Sequence, residues 1–152
     1  MAMLSKKLAV ILAATGLLFV IVNLVKPSAP DIKQNSYLEI GGVKLEIEIA
    51  DTATARAQGL SGRPILPENT GMLFVFNTAD YYNFWMKDMY FPIDIIWLND
   101  DWRVIDLTEN ISPKNFPVTY QPRAPARYVL EVNAGFIVAH RMTLMARGTL
   151  AN

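Results

Sequence analysis

The stretch from Phe84 to Leu98 constrains this chain more than any other. It is a dense aromatic and branched apolar run that nevertheless holds three charges, Lys87, Asp88 and Asp94. Apolar runs of this kind fold as buried strands. A charge inside one is costly unless it is paired or fully hydrogen-bonded. Those three charges are therefore either a satisfied structural network or a site. Pro92 cannot donate to an interior ladder, so it splits the run into two strands.

The chain has 152 residues, the size of one domain. Its apolar content of 52% is raised by the N-terminus, where Leu8 to Val25 carries no charge. As a helix that segment is about 27 Å long, close to the ~30 Å hydrocarbon core of a bilayer. Lys6 and Lys7 precede it and only Lys26 follows, so the positive-inside bias keeps the N-terminus in the cytoplasm. The exit from the segment offers no good small-x-small cleavage site, which favours an uncleaved anchor over a signal peptide. Residues 1–26 are expected to be this anchor or signal peptide, and 27–36 a Pro-bearing linker. Residues 37–152 are the expected domain, in the periplasm or outside the cell. Without its lysines the rest of the chain is mildly acidic, which argues against a nucleic-acid partner. The absence of cysteine excludes disulfides, zinc–thiolate sites and thiol nucleophiles.

Along the domain, Tyr37–Ile40 and Val43–Ile49 alternate around Gly41-Gly42, the pattern of a hairpin with its second strand's Val43, Leu45, Ile47 and Ile49 inward. Asp51 or Thr52 caps a short helix to about Gln58, ended by Gly59. Met72–Phe76 is a strand, Asn77–Tyr82 a loop, and Ile93–Leu98 pairs with Trp102–Leu107 across Asn99-Asp100-Asp101. Thr108–Arg127, with four prolines, is a long loop, and long loops are often functional. Tyr128–Val132 is a strand, Phe136–Arg141 a helical turn, and Met142–Leu150 a last edge strand. The expectation is a mainly β domain, an antiparallel β-sandwich or jelly-roll-like barrel with one short helix, behind an N-terminal transmembrane helix.

Five pieces fit one pattern: Gly59-Leu60-x-x-Arg63, Gly71-Met72-Leu73-Phe74-x-Phe76, Phe84-Trp85-Met86-Lys87, Pro92-Ile93-Asp94-Ile95-Ile96 and Val129-Leu130-Glu131-Val132-Asn133-Ala134-Gly135. Together they resemble domain-of-unknown-function family 192, small and often exported prokaryotic proteins, over roughly Val43 to Arg147. The resemblance implies a compact β-sandwich or jelly-roll-like domain with no established activity. Asp88, Met89, Ser61 and Met145-Ala146 depart from the family's usual residues.

The candidate site is a polar cluster of Arg63, Lys87, Asp88, Asp94 and Glu131. Period-2 alternation puts Asp94 with Ile96 and Leu98, and Glu131 with Val129 and Asn133, so each acid shares a face with apolar neighbours. One reading is an ion-pair network that fixes strand register. The other is the floor of a pocket for a carboxylate or sugar, with Trp85, Tyr120 and Phe116 as stacking faces and the Pro-rich loop as rim. Asp94 and Glu131 also offer paired carboxylates for hydrolysis of an envelope glycan. A third alternative is Cu(I) bound by Met86, Met89, Met142, Met145 and His140, since thioether and imidazole suit soft metals. No Ser-His-Asp constellation or phosphate loop is present. The reading is a non-catalytic binding or interaction module, with no catalytic residue, metal or cofactor assigned.

Overall fold

The computed structural model describes residues 36–151. The apolar segment 8–25 lies outside the described residues, and among the described ones no helix is long and apolar enough to cross a membrane. In chain order the elements are β1 (Ser36–Ile40), β2 (Val43–Ala50), α1 (Ala53–Gln58), β3 (Thr70–Asp80), β4 (Phe84–Trp85), β5 (Ile93–Leu98) and β6 (Val104–Ile111). A 3-10 turn at Pro113–Asn115, β7 (Thr119–Tyr120), β8 (Ala126–Asn133), α2 (Phe136–Ala139) and β9 (Gly148–Ala151) complete the domain.

The glycine pair works as expected: Gly41 and Gly42 both have positive φ and turn β1 into β2. Thr52 Oγ1 caps α1 by accepting from the Ala55 N–H at 3.1 Å. The Gly59 N–H closes the helix onto the Ala55 carbonyl at 2.9 Å.

Seven strands form one sheet in the order β6-β5-β8-β3-β2-β1-β9. The β2–β3 pair is parallel, so the sheet is mixed rather than purely antiparallel. The physical reason is the crossover through α1, which carries the chain back to start β3 beside β2 in the same direction. The mainly β expectation holds, and of its two architectures, a sandwich or a jelly-roll-like barrel, the barrel is the nearer. A single sheet curls into a half-barrel, and one end is laced shut by backbone. The Val104 N–H donates to Ala146 O at 2.9 Å, Met145 N–H to Val104 O at 2.8 Å, and Gly148 N–H to Trp102 O at 2.8 Å.

Two apolar layers result. Leu38, Ile40, Leu45, Ile47, Leu73, Ile96, Leu98, Leu130 and Val132 fill the inside of the curl. Ala55, Leu60, Met72, Phe74, Phe84, Ile93, Ile95, Trp97 and Val129 form a second core between the sheet's outer face and the segments that cross it. A strand covered on both faces needs apolar residues at every position, not every second one. This explains why all six residues of β5 are buried. Each of its five apolar side chains contributes about 1.5–3 kcal/mol of transfer free energy, while Asp94 is satisfied by hydrogen bonds.

Some boundaries moved. β3 continues to Asp80 past a register shift, where a loop was expected. The supposed Thr108–Arg127 loop is divided into the end of β6, the 3-10 turn and β7, and β7 pairs with β4 as a separate two-stranded ribbon. The last edge strand is confined to Gly148–Ala151.

Candidate functional site

Glu131 lies in the middle of β8, with Met72 of β3 and Ile95 of β5 as its register partners on either side. Its parity with Val129 turns it toward the outer core, where it is 5% exposed. Burial pushes its carboxyl up to about 8, against the opposing pull of the Arg63 guanidinium. At neutral pH it is therefore an uncharged acid that can donate a hydrogen bond. No hydrogen bond from a described residue holds the carboxyl, yet no sealed polar side-chain atom among these residues lacks a partner. Its oxygens face an open cleft.

That cleft holds about 300 Å³. Its walls are aromatic. Phe76 and Tyr82 stack at 3.5 Å between centroids, and Phe84 meets Phe74 edge-on at 4.9 Å and Trp97 at 5.4 Å. Trp85 stands at the mouth, 55% exposed. On the α1 side are Arg56 and Gln58. Arg56 Nη1 donates to the Asp51 and Val75 carbonyls at 2.6 and 2.8 Å, and its guanidinium lies 5.1 Å from the Phe76 ring centre. Two cross-links join the segment after α1 to the one after β4. The Gly62 N–H donates to Asp88 O and Ser61 Oγ to Lys87 O, both at 2.8 Å.

The structure disperses the cluster expected from sequence. Asp94 is fully buried on the opposite, inner face of the sheet with Ile96 and Leu98. Two backbone groups satisfy it, Asn110 N–H at 2.7 Å and Ile137 N–H at 2.9 Å, with no basic side chain involved. A sheet thus separates Asp94 from Glu131, and the paired-carboxylate arrangement does not form. Lys87 and Asp88 are exposed in a turn and contribute their carbonyls rather than their charges. Arg63 is spent on Glu48, a two-pronged pair at 2.5 and 2.6 Å, and reaches Glu131 only through its field. Asn133 holds the loop before β3 by donating to Leu66 O at 2.9 Å and Pro67 O at 3.2 Å. Tyr120 pairs with Phe84 in the ribbon, and its hydroxyl accepts from Asn115 at 2.7 Å. Phe116 is exposed and does not line the cleft.

The soft-metal set is also dispersed. Met86 and Met89 are both buried in the outer core, because they flank a turn and not a strand. Met142 lies in the inner core, while Met145 and His140 are exposed. Among the described residues no three His, Asp or Glu side chains converge on a metal position.

Of the expected site residues, Glu131 and Trp85 line the cleft. Arg56, Gln58, Phe74, Phe76 and Tyr82 were missed as site residues. The shared parity of Phe74 and Phe76 on β3 was the available signal. One further pair was missed: buried Asp106 accepts from the Arg123 backbone N–H at 2.8 Å and its guanidinium at 2.6 Å. Burial alone would push Asp106 up, but those bonds and one from the Leu107 N–H hold it below its ordinary value.

Residues 36–146 match the family model of domain of unknown function 192 (DUF192), described as an uncharacterised ACR. The chain belongs to this family. Two solved structures are similar to this chain in fold. One is a protein of unknown function from Novosphingobium aromaticivorans DSM 12444, with a TM-score of 0.71 and 27% identity, covering 74% of this chain and 83% of its own. The other, from Sinorhizobium meliloti 1021, is described as a proposed transcription regulator. It has a TM-score of 0.71 and 26% identity, covering 78% of this chain and 96% of its own. Nothing among curated proteins matches.

Proposed function

We propose that this DUF192 domain is a binding module for a small ring-shaped ligand seated in the Glu131 cleft. The observation that carries this reading is Glu131 itself, a buried acid that no described residue hydrogen-bonds, facing an open space walled by aromatic rings. A mostly buried acid whose oxygens have no protein partner is free to bond a ligand atom, and in a site of low dielectric that bond is stronger than at an exposed surface. Aromatic walls and a few convergent polar groups are the usual make-up of small-molecule sites, and about 300 Å³ is at their small end. Sugar rings and planar carboxylates both suit such walls. The non-catalytic reading is preferred because the second carboxylate needed for glycoside hydrolysis lies beyond the sheet.

The test is a tryptophan-fluorescence titration of the full chain with glucose, glucuronate, benzamide and benzoate. Saturable quenching that Trp85→Ala abolishes supports the reading. A folded protein that shows no saturable response to any of the four overturns it.

The same reading puts the domain outside the cytoplasm on an anchor formed by residues 8–25, supported by Lys6 and Lys7 ahead of that run. Protease added to spheroplasts, whose outer barrier has been removed and whose inner membrane is intact, should then degrade the domain. Full protection until the inner membrane is lysed overturns this placement.

A further inference from the structure

We propose that the ligand of the cleft carries a carboxylate, which Arg56 receives. This rests on the binding reading above and specifies the chemistry of its ligand.

Among the described arginines Arg63 pairs with Glu48 at 2.5 Å, Arg123 with Asp106 at 2.6 Å and Arg127 with Asp100 at 3.0 Å, while Arg56, Arg103, Arg141 and Arg147 have no ion pair; of these four, Arg56 alone lines the cleft. Arg56 is held differently. Its fixed bonds go to the Asp51 and Val75 backbone carbonyls, and no described carboxylate lies within ion-pairing distance. Carbonyls orient a guanidinium without cancelling its charge. Both Nη1 protons are used, which leaves the three N–H groups of Nε and Nη2 for a partner. That fork geometry matches a carboxylate. Phe76, stacked on Tyr82, supports the guanidinium face, so Arg56 is preorganised as well as unneutralised.

Glu131 completes the site by remaining uncharged. As a neutral acid it neither pairs with Arg56 nor repels an incoming anion. It donates its proton in a hydrogen bond to an uncharged oxygen of the ligand, a hydroxyl, ring oxygen or carbonyl. The ligand is therefore a ring with a carboxylate and a neutral acceptor, stacked between Tyr82 and Trp85. A sugar acid and a hydroxy-substituted aromatic acid share this chemistry.

Two matched pairs of probes separate these sources and test the assignment on the full chain by calorimetric titration: glucuronate against glucose, and 4-hydroxybenzoate against 4-hydroxybenzamide. The expected result is that in one pair the carboxylate binds at least tenfold more tightly than its neutral counterpart. The pair that shows this identifies the ring class. Arg56→Gln should remove the preference, Arg56→Lys should keep part of it, and Arg141→Gln, at an exposed arginine outside the cleft, should leave it intact. Neutral probes that bind as tightly as the anions overturn the carboxylate assignment, while binding in the cleft still stands. No saturation by any probe overturns both. The wild-type ratio decides the matter even where a variant does not fold.

Discussion

Asp94 and Glu131 occupy adjacent strands one residue out of register, and point to opposite faces of the sheet. Asp94 is paired with Val132, and Glu131 with Ile95. That offset gives two buried acids entirely different work. Asp94 ties β6 and the start of α2 to β5 through backbone N–H groups, whereas Glu131 faces the cleft.

Replacing Asp94 should therefore affect folding and not binding. Asp94→Ala removes the acceptor of the buried Ile137 N–H and of the part-buried Asn110 N–H. The expected loss is about 2–5 kcal/mol of unfolding free energy. Urea denaturation measures it, and ligand affinity of the remaining folded protein should be unchanged.

Glu131 makes stability depend on pH with a defined sign. Its folded value of about 8 exceeds the unfolded value of 4.5, so the native state binds the extra proton between them. The contribution is fully present below pH 4.5, declines as pH rises through 8, and is level above. The slope approaches about 1.4 kcal/mol per pH unit within that window. Glu131→Gln should remove this decline, as seen by comparing urea midpoints of the two proteins at pH 5, 6.5 and 8.

Asp106 should act in the opposite sense. Its carboxylate lies below its ordinary value of 3.8, so its contribution exists above that pH and disappears as pH falls through the lower folded value. Asp106→Asn should lower the melting temperature at pH 7 and speed proteolysis near Arg123, and the difference from wild type should vanish in strong acid.

Gly71 is needed where β3 crosses β8. An added Cβ would sit 2.9 Å from the Glu131 carbonyl and 3.2 Å from both Leu130 Cδ1 and Val132 Cγ1. Backbone on one side and packed side chains on the other leave little room to yield. Gly71→Ala should cost about 1–3 kcal/mol and also weaken ligand binding by shifting Glu131, an outcome that a stability measurement and a titration check together.

Within each strand, much was legible from sequence. Alternation placed Asp94 with Ile96 and Leu98, and Glu131 with Val129, as found. Paired glycines marked the β1–β2 turn, and Thr52 and Gly59 bounded α1. Relations between strands were not legible. Nothing in Ile93–Leu98 says that its even positions face the inside of the curl while the odd positions of β8 face outward. Register is set by the whole sheet. The parallel β2–β3 pair was hidden for the same reason, since α1 is short and reads equally well as a surface turn. Arg56 escaped notice because its role comes from two carbonyls that the fold brings to it. The charges at Lys87 and Asp88 misled because the segment that contains them is a turn on the surface, not a strand through the core.

The central claim is that Glu131 is an uncharged acid facing the cleft at neutral pH. A carbon-13 NMR titration of its side-chain carboxyl in the full chain tests this most directly. A midpoint near 8, displaced when a ring carboxylate binds, is the predicted result. A midpoint near 4.5 that no ligand moves would contradict it.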